Sequence, residues 1–374
     1  MNILFLYINA FSVKGGIQRY NINLMQALLE NSKSDSDQKI SVISLQDISS
    51  DIPSDIQEGI RFQSAQNNRI RFIIQVLKAA VKADIIIFGH LNLAFPLIGI
   101  LSFWKKKRLI LIAHGIEVWN IRSILKSWCL KQFDQVLTVS NFTRGKIVSQ
   151  GGIHKEVVGI LHNTLPNAIV TTTKIIEIPK LKEQYGFTTD DFILLTVCRM
   201  SLGDRDKGYD KVITCMSEIV SMCPHVKYLL VGKADIAEQK YLQTLINEKG
   251  LTQQVIFKGP VNDEQINDLY QIADCFIMPS KKEGFGIVFI EALSRGIPCI
   301  GGNKDGTVDA LLNGEAGILI DPDNRAEIIN AVRSVVFKTC PEQILDKRYL
   351  IKSVQENFSF TTYKTKLNKI LLEK

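Results

Sequence analysis

Glycine and proline are sparse in this chain of 374 residues, 24 and 10 in all. No low-complexity tract or short-period repeat interrupts it, which excludes a fibrous or extensively disordered protein. Its seven cysteines (Cys129, Cys198, Cys215, Cys223, Cys275, Cys299, Cys340) contain no C-x-x-C pair and are odd in number. Neither a disulfide framework nor a zinc ribbon is written here, and buried free thiols in a reducing cytoplasm are expected. Both G-x-G-x-x-G and G-x-x-x-x-G-K-[ST] are missing, which argues against a dinucleotide-binding dehydrogenase and a P-loop enzyme. No RNP, zinc-finger or helix-turn-helix pattern points to nucleic acid. The first residues, Met1 to Tyr7, lack the cationic region and cleavage site of a signal peptide and read as a buried strand.

What is present is a globular composition, 46% hydrophobic and 22% charged, with a formal net charge of +7. The length suits about two domains, and the modest positive balance fits a phosphate-bearing ligand or an anionic membrane surface. Ile85 to Trp104 carries no charge and is about long enough to span a bilayer. Gly89, His90, Asn92 and Pro96 break it, so a buried strand, a loop and an apolar helix ending at Lys105-Lys106-Lys107-Arg108 are expected. Trp104 beside four cations is a combination found where proteins touch anionic membranes, and equally at a solvated helix end.

Apolar, β-branched runs alternate with helical periodicities throughout, the signature of a mostly parallel α/β sheet. Strands are expected near 3–8, 40–45, 85–88, 109–113 and 135–139, and again near 192–197, 227–231, 254–257, 275–278, 298–300 and 317–320. The stretch 166–191, with Pro166, Pro179 and a threonine run, divides the pattern. The expected organisation is therefore an N-terminal Rossmann-like domain over 1–165, a linker over 166–191, a second Rossmann-like domain over 192–355, and a terminal helix over 356–374. Ligands in such sheets bind beyond the carboxyl ends of strands.

Four such strand ends stand out. Pro279-Ser280-Lys281-Lys282-Glu283-Gly284-Phe285-Gly286-Ile287 leads from a strand into an apolar helix that carries Glu291. The unpaired amides there suit an anion, with one carboxylate free for a sugar and the other for a ribose diol. Arg199 and Lys207 follow another strand, where two fixed cations can supply the charge that a metal would otherwise bring to a diphosphate. In the first half, Lys14-Gly15-Gly16 and Ala113-His114-Gly115 occupy comparable positions. The D-x-D triplets at Asp35/Asp37, Asp204/Asp206 and Asp321/Asp323 sit in polar loop contexts and read as turn residues.

Together, Gly15-Gly16-x-x-Arg19, His114-Gly115-x-Glu117, Ser140-Asn141, Asn163, Arg199 with Lys207-Gly208, Val231-Gly232, Gly259 with Val261, Pro279-Ser280, Glu283-Gly284-Phe285-Gly286, Glu291-Ala292, Gly296-x-Pro298 and Gly314-x-x-Gly317 resemble glycosyltransferase family 4. The resemblance runs in order over almost the whole chain, with E-x7-E intact at Glu283 and Glu291.

It implies a GT-B fold, two Rossmann-like domains facing a cleft, the N-terminal one (1–165) acceptor-binding and the C-terminal one (192–355) nucleotide-sugar-binding, with the terminal helix crossing back to the first. By resemblance, Gly16 approaches the donor, Arg199 and Lys207 clamp its diphosphate, and Glu283 lies by the transferred sugar. Gly284, Phe285, Gly286 and Ile287 offer amides, Glu291 takes the ribose hydroxyls, the base rests near Val261, and His114 holds the sugar. The Arg199–Lys207 spacing is longer than in compact R-x5-K members. The implied reaction is retaining hexosyl transfer with no metal or other cofactor, the nucleotide sugar being a co-substrate. GDP-mannose is the leading donor, with UDP-glucose, UDP-galactose or an N-acetylhexosamine donor as alternatives. A saccharide or lipid-linked acceptor of surface polysaccharide synthesis at the cytoplasmic membrane face is expected. A GT-B epimerase and an inactive sugar-binding subunit are the readings from other classes.

Overall fold

The structure, a computed structural model, describes residues 1–34, 38–101, 107–121, 123–166 and 177–373. Two compact units divide the chain: Met1–Pro166 with Phe358–Lys374 form the first, and the intervening residues up to Asn357 form the second.

The first unit is a seven-stranded parallel sheet of β1 (Asn2–Tyr7), β2 (Lys39–Ser44), β3 (Arg61–Ser64), β4 (Ile85–Phe88), β5 (Arg108–Ala113), β6 (Gln135–Thr138) and β7 (Val158–Ile160), in the order β3-β2-β1-β4-β5-β6-β7. Helices cover both faces, so the central strands are apolar on both sides; every residue of β4 is buried. Chain order reverses between β1 and β4, where ligand crevices open in doubly wound sheets.

The second unit repeats the scheme with β8 (Phe192–Val197), β9 (Val226–Val231), β10 (Val255–Gly259), β11 (Cys275–Met278), β12 (Cys299–Gly302) and β13 (Ile318–Ile320), ordered β10-β9-β8-β11-β12-β13. Its reversal lies between β8 and β11. The two Rossmann-like units establish the expected fold class. β3 and β7 escape the sequence reading because both are edge strands: the first alternates exposed with half-buried residues, and the second has three residues.

The segment after β4 forms a 3-10 turn at Leu91–Leu93 and enters a helix at Ile98–Leu101, where the described residues break off; Arg108, expected at the end of that helix, opens β5 instead. Lys107 Nζ donates to the carbonyls of Val81 (3.1 Å) and Ala83 (2.7 Å). The Arg108 guanidinium donates to those of Leu371 (3.3 Å) and Glu373 (2.6 Å). Two of the four cations assigned to a membrane patch thus hold the fold together, while Trp104, Lys105 and Lys106 lie outside the described residues. Among the described residues no helix is long and apolar enough to cross a membrane.

The terminal helix Phe360–Leu372 packs on the first helix, Gly16–Ser34. Its stripe Tyr363, Leu367 and Leu371 is buried. Tyr363 meets Tyr20 edge-on at 6.0 Å, and Lys364 pairs with Glu30 at 2.6 Å. Buried Asn23 donates to the Thr164 carbonyl (2.7 Å), and the Thr164 hydroxyl donates to the carbonyl of Phe358 (2.8 Å), fixing where the chain re-enters. Because Leu367 is only 1% exposed, Leu367→Ala is expected to lower the stability of this unit by about 2–5 kcal/mol, read as a shifted urea midpoint. A change under about 0.5 kcal/mol, the size of an ordinary surface substitution, would show that the helix adds nothing to the core.

Candidate active site

In the second unit, the loops leaving β8 and β11 are locked together. Gly208 has φ +78°, and a Cβ there would come within 2.3 Å of the Pro279 carbonyl oxygen. Only glycine allows that approach. The Lys281 amide donates to the Asp206 carbonyl at 2.8 Å. This docking brings Lys207, the last residue of the 3-10 helix Leu202–Lys207, onto Glu283, with which it forms a hydrogen-bonded ion pair. Burial by itself would lower the Lys207 pKa, but the Glu283 carboxylate outweighs it and holds the ammonium above its usual range.

The Glu283 loop is tied down from beneath. Asp305, fully buried, accepts from the Ser280 hydroxyl (2.7 Å), the Glu283 amide (2.8 Å) and the Thr307 amide (2.9 Å). Burial nevertheless raises its carboxyl pKa. Gly306 donates to the Glu283 carbonyl at 2.8 Å, and a Cβ on Gly306 would fall 2.0 Å from the Gly284 carbonyl oxygen. Phe285 is buried, and Gly286, at φ +90°, turns the chain into the helix Ile287–Leu293. That helix has only seven residues, so its dipole is slight; the amides of Gly284 to Ile287 matter through the loop geometry that presents them.

Glu291 stands on this helix and accepts from the hydroxyl of buried Tyr270 at 3.0 Å. Arg199 is bound bidentately to Asp204 (2.8 and 3.0 Å), with most of its side chain in solvent. Val261 follows β10 at the sheet edge, past Gly259 at φ +73°. Lys207, Glu283 and the Gly284–Ile287 turn are therefore assembled directly, while Arg199, Glu291 and Val261 flank them on neighbouring elements.

Gly16 and His114 belong to the first unit. Gly16 opens its helix with clear space where a Cβ would stand. The loop before it is gathered by Asp47, fully buried, which accepts from the amides of Ala10, Phe11 and Ser12 at 2.6, 3.1 and 3.2 Å. His114, at the end of β5, is buried. Its Nε2 lies 2.8 Å from the Gly89 carbonyl, which can only accept, so Nε2 carries the proton and neutral His114 presents Nδ1 as an acceptor. Burial lowers its pKa, as it does for His90, whose ring centroid lies 6.5 Å away.

The carboxylates of the D-x-D triplets face cations. Asp206 pairs with Lys282 (2.6 Å), Asp321 with Lys304 (2.6 Å), and Asp323 with Lys211, Lys281 and Lys304. Asp35 and Asp37 lie outside the described residues. Asp47 and Asp305 were not singled out from the sequence, since each is marked only by polar residues next to glycine-containing loops, and their partners lie far along the chain.

Because His90 and His114 have lowered folded-state pKa values, the unfolded chain binds the extra protons. Their contribution to stability is complete above the ordinary histidine pKa of about 6.5 and is lost as pH falls below it. Urea unfolding is expected to show lower stability at pH 5.5 than at 7.5, and His114→Asn should flatten that slope. An unchanged slope would mean that His114 is protonated equally easily in both states.

A sequence model of the family described as "Glycosyl transferases group 1" matches residues 177–345. The GDP-mannose-dependent alpha-(1-6)-phosphatidylinositol monomannoside mannosyltransferase of Mycolicibacterium smegmatis is 27% identical over 242 residues, 60% of this chain and 60% of that protein. The D-inositol 3-phosphate glycosyltransferase of Rhodococcus erythropolis is 31% identical over 159 residues, 41% of this chain and 36% of that protein. The chain thus spans 60% or less of the length of these curated relatives. Among solved structures, Anabaena HepE in complex with UDP superposes with a TM-score of 0.78 at 21% identity, covering 99% of both chains. WaaG, a glycosyltransferase involved in lipopolysaccharide biosynthesis, gives 0.70 at 14% identity over 100% of both. The family match lies within 177–345, and over its full length the chain has the GT-B fold of these solved glycosyltransferase structures.

Proposed function

We propose that the protein transfers a hexosyl group from a nucleotide sugar, with retention at the anomeric carbon and without a metal, to a saccharide or lipid-linked acceptor. The observation that carries this reading is the Lys207–Glu283 pair at the sheet reversal of the second unit. It sets a fixed cation and a carboxylate beside the glycine-rich turn Gly284–Ile287. The cation suits a diphosphate, the carboxylate a sugar hydroxyl. Glu291 is the ribose ligand, and Arg199, released from Asp204, is the second diphosphate cation.

In the step proposed, the bond from the anomeric carbon to the β-phosphate oxygen breaks with its electrons going to the phosphate. The acceptor hydroxyl oxygen bonds to the same face of that carbon, and its proton passes to the departing phosphate. Lys207 neutralises the charge developing on the leaving diphosphate.

GDP-mannose remains the first donor to test, supported by the name of the Mycolicibacterium relative. A UDP-sugar is the second, because HepE, similar along its full length, was crystallised with UDP and with UDP-glucose. Calorimetric titration of GDP and UDP separately, with EDTA present, is expected to show binding of one, and Lys207→Ala should reduce transfer by about 10²–10³. Binding only after a divalent metal is restored would overturn the metal-free reading. Donor consumed with no acceptor present would indicate an epimerase.

Peripheral contact with an anionic membrane is the remaining part of the proposal, and the helix Arg69–Ala80 supports it. From Gly59 to Ala83 the chain has five basic residues, Arg61, Arg69, Arg71, Lys78 and Lys82, and no acid. Ile70, Ile74 and Val81 are 72%, 48% and 66% exposed among those cations. Apolar side chains with an unopposed basic face suit anionic lipid. Sedimentation with phosphatidylglycerol vesicles, but not phosphatidylcholine vesicles, is expected. High salt and Ile70→Glu with Ile74→Glu should each weaken it. Equal binding to both vesicle types would remove the electrostatic part.

A further inference from the structure

Lys207 stands at the end of a nine-residue path from Arg199 that forms a 3-10 helix over Leu202–Lys207, and a short helix of this kind does not hold its own position. Its anchor is two residues before Lys207. The Arg205 guanidinium donates through Nε and Nη2 to both carboxylate oxygens of Glu238, at 2.9, 3.1 and 2.9 Å. The guanidinium also lies 3.7 Å from the centroid of the Tyr241 ring. Glu238 is 1% exposed and accepts a further hydrogen bond from the Tyr209 hydroxyl at 2.9 Å. Its own amide donates to Asp235, the cap of the helix Ile236–Glu248 (2.8 Å).

A carboxylate this deeply buried is tolerated only when its charge is answered, and here the answer is Arg205. The same loop is stitched to the chain after β9 through Asp235 N to Met200 O (3.1 Å) and Met200 N to Lys233 O (2.9 Å). Among the described residues, the side-chain hydrogen bonds of Arg205 and Glu238 reach none of the residues assigned to the donor, and no motif in the sequence marks either of them.

We infer that Glu238 is a positioning residue for Lys207: through its bidentate grip on Arg205 it fixes the 3-10 helix so that the lysine is held in place before any diphosphate arrives. The assignment of Lys207 to the diphosphate rests on the function proposed above, whereas the mechanical link from Glu238 to Lys207 does not depend on it.

The test uses the full chain and two readouts. In protein reductively methylated with ¹³C, the Lys207 resonance, assigned by its loss in Lys207→Ala, should shift or broaden in Glu238→Gln. Arg205→Lys, which keeps the charge but loses the fork, should do so to a smaller degree. Affinity for whichever of GDP or UDP binds the wild type should fall about tenfold in Glu238→Gln, the size of one charge-assisted contact. It should fall no further when Glu238→Gln is added to Lys207→Ala, because the two changes act through one group.

An unmoved Lys207 resonance in a folded Glu238→Gln protein overturns the inference, as does a double variant that loses the product of the two single effects. If Glu238→Gln does not fold, Arg205→Lys alone decides by the same resonance. If the resonance moves while the wild type binds neither nucleotide, the positioning role stands and the donor assignment falls.

Discussion

Everything proposed for the second unit depends on one close approach, the backbone of Gly208 against the carbonyl of Pro279. That contact brings the loops after β8 and β11 together at the point where strand order reverses. The pairing of Lys207 with Glu283 follows from it. A side chain at position 208 would separate the loops, and the cation would lose its partner. Gly306 plays the same part beneath Gly284, so the Glu283 turn is shaped by places where a side chain is absent.

Both units solve the same problem with a buried aspartate. A loop that leaves a strand end and must bend sharply exposes several amides that have no helical or sheet partner. Asp47 collects three of them in the first unit, and Asp305 collects two amides and a hydroxyl in the second. The price is a carboxylate without water, and the hydrogen bonds offset it. These residues decide where Gly16 and Glu283 stand.

Much of this was legible in the sequence, and the reasons are physical. Central strands such as β4 and β11 are apolar on both faces, so their composition alone declares them, as do the glycines and glutamates of the Glu283 loop. Edge strands β3 and β7 are too polar or too short to announce themselves. Arg108 was placed at a helix end because a run of cations after an apolar segment is what a helix C-terminus attracts, whereas it is the first residue of β5. Asp47, Asp305, Arg205 and Glu238 were illegible for a different reason: each matters through a partner met only in the folded chain. The long Arg199–Lys207 spacing was visible, but the buried ion pair that steadies it was not.

The return of the terminal helix to the first unit also has a consequence for biosynthesis. Tyr20 and Asn23 are in place early, yet the groups that cover them, Tyr363 and the Thr164–Phe358 link, complete that unit only after residue 358 has been made. At ordinary translation rates the 192 residues from Pro166 to Phe358 (358 − 166) take about 10–40 s to synthesise. For that interval the second unit has most of its chain available while the first waits with an uncovered apolar face. Folding of the first unit is thus finished by a segment made after the second, which makes the late helix a checkpoint on synthesis of the second unit.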